Sequence, residues 1–101
     1  MLEKIKVSGD KDYTIYLEDF DRVCFIHCDV YKWNKTTKIK IGKALESILE
    51  FGFDLHAFHD IDDDKHRKFL NMYDFKYFST EACLDGLLRQ VWIKQSKEEN
   101  K

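Results

Sequence analysis

The chain has 101 residues, 44% of them hydrophobic and 36% charged, with two Trp, five Tyr, eight Phe and a formal net charge of −2. That length supports one domain, and large aromatic side chains fill a modest core with few residues. The near-neutral balance excludes a global attraction to nucleic acid or an anionic membrane; no apolar run of about 18 residues is present, and no signal peptide is expected.

In chain order, EKIKVSG (3–9) alternates Ile5 and Val7 with lysines and stops at Gly9, the pattern of a strand. DYTIYLED (12–19) places Tyr13, Ile15 and Leu17 on one face. RVCFIHCDVYKW (22–33) is apolar on both faces, which predicts a central strand covered on both sides. Asn34, Thr36 and Thr37 are each suitable N-caps for a first helix. Its apolar residues Ile41, Ala44, Leu45, Ile48 and Leu49 recur at helical spacing, and Gly52 stands where a left-handed C-cap belongs.

FDLHAFHD (53–60) reads as the next strand. The acidic run DIDDD (60–64) suits the start of a second helix, because carboxylates favour the positive end of the helix dipole. His66, Phe69, Leu70 and Tyr73 share one face of that helix. Two strands follow, KYFSTEACL (76–84) and LLRQVWIK (87–94), joined at Asp85-Gly86, a hairpin signal. The aromatics Tyr73, Phe75, Tyr77 and Phe78 are expected to pack these strands against the second helix. The order is β-β-β-α-β-α-β-β. It predicts a mixed α/β (α+β) sandwich with a central parallel crossover in a mostly antiparallel sheet, the helices covering the sheet. Residues 1–93 form the single domain and 94–101 a polar tail.

Lys32, Lys35, Lys38, Lys40 and Lys43 lead into the first helix beside Gly42. Helix starts carry free N–H groups and favour anions, so this stretch reads either as a phosphate cradle or as a solvated basic face. No glycine-rich loop is present, which excludes P-loop and dinucleotide fingerprints.

The run VCFIHCDVYKW…KIKIGKALESILEFGFDLHAF…DDKHRKFLNMYDFKYF resembles the core of the GCN5-related N-acetyltransferase (GNAT) superfamily over about residues 20 to 93. In that family the helix after the central strand opens with Arg/Gln-x-x-Gly-x-Gly/Ala, whose amides hold the acetyl-CoA pyrophosphate. The resemblance assigns cofactor contacts to Lys38, Lys40, Ile41, Gly42, Lys43, Ala44 and Leu45. Thr37 stands at the Arg/Gln position and Lys40 at the first Gly. Asp63 stands at a family Asn, Asp74-Phe75 at a Gly-Phe turn, and Leu70 at the tyrosine that protonates the departing thiolate. Tyr73, one turn later, is its substitute. The His66-to-Leu70 pattern is similar to short GNAT-like proteins of tailed bacteriophages, among them internal virion proteins.

Acetyl transfer needs a base for the amine, and His27 and Asp29 on the central strand, or Glu18 before it, are the candidates. A lone histidine on an apolar strand, as His27 is, is more often a satisfied core residue than a base. The His56–His66 stretch is rich in ligand types, but His56 and His59 point to opposite faces of a strand, so no metal site is assigned. Cys24, Cys28 and Cys83 show no CxxC and fit reduced, buried thiols.

The resemblance with its four departures (Thr37, Lys40, Leu70 and Asp74) implies a GNAT-like phage protein with an eroded acetyl-CoA site. It would act without catalysis, as a virion component or host-factor binder in an infected bacterial cytoplasm or the virion. The alternative is a small acetyl-CoA-dependent N-acetyltransferase acting on a protein or small amine. Neither membrane nor nucleic-acid partners are expected, and nothing requires an oligomer.

Overall fold

The computed structural model describes residues 4–20 and 23–96; most of the expected tail, residues 97–101, lies outside the described residues. The elements are β1 (Lys4–Gly9), β2 (Tyr13–Phe20), β3 (Val23–Val30), α1 (Lys35–Leu49), β4 (Leu55–Asp60), α2 (Asp64–Met72), β5 (Lys76–Ala82) and β6 (Leu88–Lys94). The six strands form one sheet in the order β1-β2-β3-β4-β6-β5. β3 and β4 run parallel and every other pair is antiparallel. It is a mixed α+β fold.

Strand alternation decides where the core lies. Tyr13, Ile15 and Leu17 of β2 stand opposite Val30, Cys28 and Ile26 of β3, while Ala57 of β4 stands opposite Trp92 of β6. These residues belong to the face that packs on Ile41, Leu45, Ile48 and Leu49 of α1 and on Leu70 of α2. Both helices therefore cover the same face. The other face, with Tyr16, Glu18, Phe25, His27, His56 and Phe58, carries no helix among the described residues. This corrects the expectation that β3 is covered on both sides. Phe25 is buried there by its neighbours within the sheet, stacking on Phe58 at a centroid distance of 4.5 Å. Apolar content on both faces of a strand reports burial, and an adjacent aromatic can supply it as a helix would.

Of the three possible N-caps, Asn34 is the one used: its Oδ1 accepts from the Thr37 N–H at 2.8 Å. The helix ends at Leu49, and Gly52, at φ +94°, turns the chain toward β4. Asp63 caps α2 by accepting from the His66 N–H at 3.0 Å. The end of α2 is a Schellman motif: Phe75 N–H donates to the Leu70 carbonyl at 2.9 Å and Asp74 N–H to that of Asn71 at 3.1 Å. Leu70 and Phe75, both buried, supply the apolar contact that accompanies this turn.

Asp74 adopts φ +66°, the one positive φ outside glycine among the described residues. The left-handed region costs a residue with a Cβ about 1–2 kcal/mol, and aspartate is among the few types that tolerate it. Asp74→Gly is expected to stabilise the protein by about 1 kcal/mol, raising the unfolding midpoint by roughly 4–8 °C. A midpoint that stays level or falls in a thermal melt would show that the Asp74 side chain contributes more than its backbone strain costs.

Lys94, assigned by sequence to the last strand and the start of the tail, is buried. Its ammonium donates to the Tyr73 carbonyl at 2.6 Å, at the negative end of α2, and lies 3.6 Å from Glu46. Ser96 is buried too, its N–H donating to Asp54. At the last hairpin, Asp85-Gly86 sits inside a wider loop, Cys83 to Leu87, in which Gly86 takes φ +85°. Of the four aromatics expected to join the last strands to α2, Tyr73 and Phe75 are buried, whereas Tyr77 and Phe78 are exposed.

Candidate functional site

The register pair between β3 and β4 is Phe25 with His56. Among the described residues no further register pair follows toward the carboxyl ends of the two strands, the end at which open α/β sheets take ligands. A cavity of about 530 Å³ lies beside this stretch. Ile26, Cys28 and Val30 of β3 and Ala57 of β4 line it from the sheet. Leu45 and Phe75 add to its apolar lining, and Trp33 comes from the loop after β3. α2 contributes Lys65, His66, Lys68, Phe69, Leu70 and Met72. Trp33 and Phe69 approach each other with centroids 6.5 Å apart, tilted by 58°.

The segment expected to hold a pyrophosphate is differently placed. α1 begins at Lys35, so the amides from Lys38 onward are already engaged by carbonyls four residues earlier, starting with Lys38 N–H to Asn34 at 3.0 Å. Lys38, Lys40, Ile41, Gly42, Lys43, Ala44 and Leu45 are helix interior. Ile41 and Leu45 point into the core. A Cβ on Gly42 would meet the Tyr73 ring at 3.5 Å, an ordinary contact, so Gly42 faces a side chain. The Lys40 ammonium is paired with Asp10 at 2.7 Å, and that pairing holds the Asp10 carboxyl below its usual range.

The three residues expected to carry catalysis do not meet. His27 and Asp29 lie on the bare face, where His27 Nε2 is 2.7 Å from Glu18 Oε1. Tyr73 lies on the helix-covered face; its hydroxyl donates to the Lys38 carbonyl at 2.8 Å and ties the end of α2 to α1. Burial pushes this phenol up to about 12, which suits a structural hydroxyl better than an acid working at neutral pH. Cys28 in the cavity wall is likewise raised to about 12 by burial and makes a poor nucleophile.

One pair was not anticipated. His59, 1% exposed, and His66 bring their Nδ1 atoms within 3.0 Å, with the rings stacked. One nitrogen must donate and the other accept, so two neutral rings are held as opposite tautomers. His59 Nε2 is buried with no hydrogen-bond partner among the described residues. Burial lowers the pKa of both rings; the Arg67 guanidinium lowers His59 further, and the mutual repulsion of two protonated rings lowers His66. The signal was present in sequence: His59 alternates in phase with Leu55 and Ala57, and His66 lies on the apolar face of α2. No set of three or more His, Cys, Asp or Glu side chains converges as a metal site among the described residues. No described helix is long and apolar enough to cross a membrane.

Comparison with known proteins finds no match for this chain among family profiles, characterised proteins or solved structures.

Proposed function

We propose that this chain is a GNAT-like domain with an eroded acetyl-CoA site, acting without catalysis as a binding protein for a virion or host protein. The observation that carries the reading is the state of α1: the amides of the expected cradle are consumed inside the helix. The separation of His27 and Asp29 from Tyr73 by the thickness of the sheet adds to it. The parallel β3–β4 pair bridged by α1, within an otherwise antiparallel sheet, supports the reading. The bare face, with Phe58 stacked on Phe25 and 38% exposed, offers apolar surface to a protein partner.

Thermal unfolding with acetyl-CoA at one millimolar is the test. A ligand at about 100 times its dissociation constant adds about 2.7 kcal/mol, or more than roughly 10 °C in a domain of this size. The expected shift is within the error of the melt. A saturable rise of that larger size would sink the reading.

A second reading, a small N-acetyltransferase, is favoured by the cavity itself and by His66 in its wall, a base that burial keeps neutral. Release of free CoA from acetyl-CoA in the presence of an amine acceptor would decide for it.

A further inference from the structure

We infer that the cavity between β3, β4 and α2 is a binding site for a small aromatic anion: a flat ring system of one or two rings bearing a carboxylate. The inference deepens the reading above and rests on it in one respect, that acetyl-CoA does not fill this space.

The size comes first. About 530 Å³ lies within the usual range for small-ligand sites, roughly 300–1,000 Å³. The walls are apolar and partly aromatic, and the tilted Trp33–Phe69 pair leaves ring edges and faces turned toward the space between them. Trp33 is 47% exposed, so stacking a ligand ring on it removes apolar surface from water.

Charge selects the head group. Lys65 and Lys68 both line the cavity, and neither makes an ion pair with a described residue. The ion-paired cations Lys40, Arg67, Arg89 and Lys94 lie outside the lining, so Lys65 and Lys68 are the lysines and arginines that face the cavity among the described residues. Asp63, the acidic residue of the lining, is spent as the cap of α2, where the helix start offsets its charge. An entering carboxylate therefore finds two uncommitted ammonium groups at one side of an apolar slot. A nucleotide would need the amide cradle that α1 does not provide.

The test is calorimetric titration of the full chain at pH 7.5 with 2-naphthoate, compared with the cationic analogue 2-naphthylmethylammonium. One-to-one binding is expected with a dissociation constant below about 1 mM, weaker by at least about tenfold for the cation and for Lys65→Glu/Lys68→Glu. Val30→Trp, at the exposed end of β3, is expected to fill the space and abolish binding. If that variant melts early, Trp33→Ala, at an exposed loop position, is expected to weaken binding instead.

No saturable heat at millimolar naphthoate overturns the inference, as does equal binding of the cation or indifference to both cavity variants. Acetyl-CoA serves as a competitor. If it displaces naphthoate, acetyl-CoA fills this space, and the eroded-site reading and this inference fail together. If naphthoate does not bind and acetyl-CoA gives no thermal shift, this inference fails and the reading stands.

Discussion

At pH 5 the protein is expected to unfold at a markedly lower temperature than at pH 7.5, and the cause is the His59–His66 pair. Both pKa values are lowered in the fold, chiefly by burial, whereas in the unfolded chain both rings return to about 6.5. The unfolded state therefore binds more protons than the native state in the window below 6.5. Stability from this source is complete above about pH 6.5 and is lost as the pH falls from there through the lowered native values. Each histidine contributes a slope of up to about 1.4 kcal/mol per pH unit, so the pair approaches about 2.7. His56, also lowered by burial, acts in the same direction. The carboxylates held low by ion pairs, Asp10 and Asp85, lose their contribution only below the ordinary carboxylate range, so the two windows are separate.

Chemical denaturation from pH 7.5 to 5 measures the slope, and the variant His59→Leu/His66→Leu assigns it. Replacing a buried polar pair by apolar residues of similar volume is often neutral or stabilising, so the variant is expected to match the parent at pH 7.5 within about 1 kcal/mol. At pH 5 it should be the more stable protein. Parallel pH profiles for the two would refute the assignment.

Phe75→Ala is expected to cost about 3–5 kcal/mol, the usual loss for a buried phenylalanine. Phe75 is 1% exposed and holds three things at once. It closes the Schellman turn of α2 onto Leu70, lines the cavity, and belongs to the core cluster that includes Ile41 and Leu45 of α1. Domains of this size are stable by about 5–15 kcal/mol, so the loss removes about a fifth of the total or more. A lower denaturant midpoint at unchanged slope is the signature. Phe78→Ala, three residues on and 65% exposed, is the control and should fall within about 0.5 kcal/mol of the parent. Similar losses for both would mean that Phe78 is covered in solution by something other than this chain.

Much of the fold was legible because hydrophobic period is a local property. The phase of Ile41, Leu45 and Ile48 marked the buried stripe of α1, and the alternation Tyr13, Ile15, Leu17 marked the inner face of β2. Which side of the sheet each helix takes is not local. Phe25 and Ile26 are equally apolar, and only the chain path shows that Ile26 meets the helix layer while Phe25 meets Phe58. The site was harder for a related reason. Asn34, Thr36 and Thr37 are chemically alike as caps, and a shift of three residues in the helix start separates free amides from engaged ones. The choice of Asn34 decided the fate of the expected cradle, and composition carries no sign of it. Tyr73 stands one turn from the position of the expected acid, and its hydroxyl donates to the Lys38 carbonyl, a partner 35 residues away in sequence. The His59–His66 contact is legible only when the inner phase of β4 and the apolar face of α2 are taken together.

The single Phe25–His56 register pair makes the six-stranded sheet two plates, β1-β2-β3 and β4-β6-β5, each sewn together by antiparallel ladders of its own. Backbone hydrogen bonds give each plate its stiffness but supply little of the joint. Ile41 and Leu45 from above, together with Ile26 and Ala57 on either side of the seam, do most of that work. The joint between the two plates is thus held by side-chain packing on the helix-covered side of the sheet.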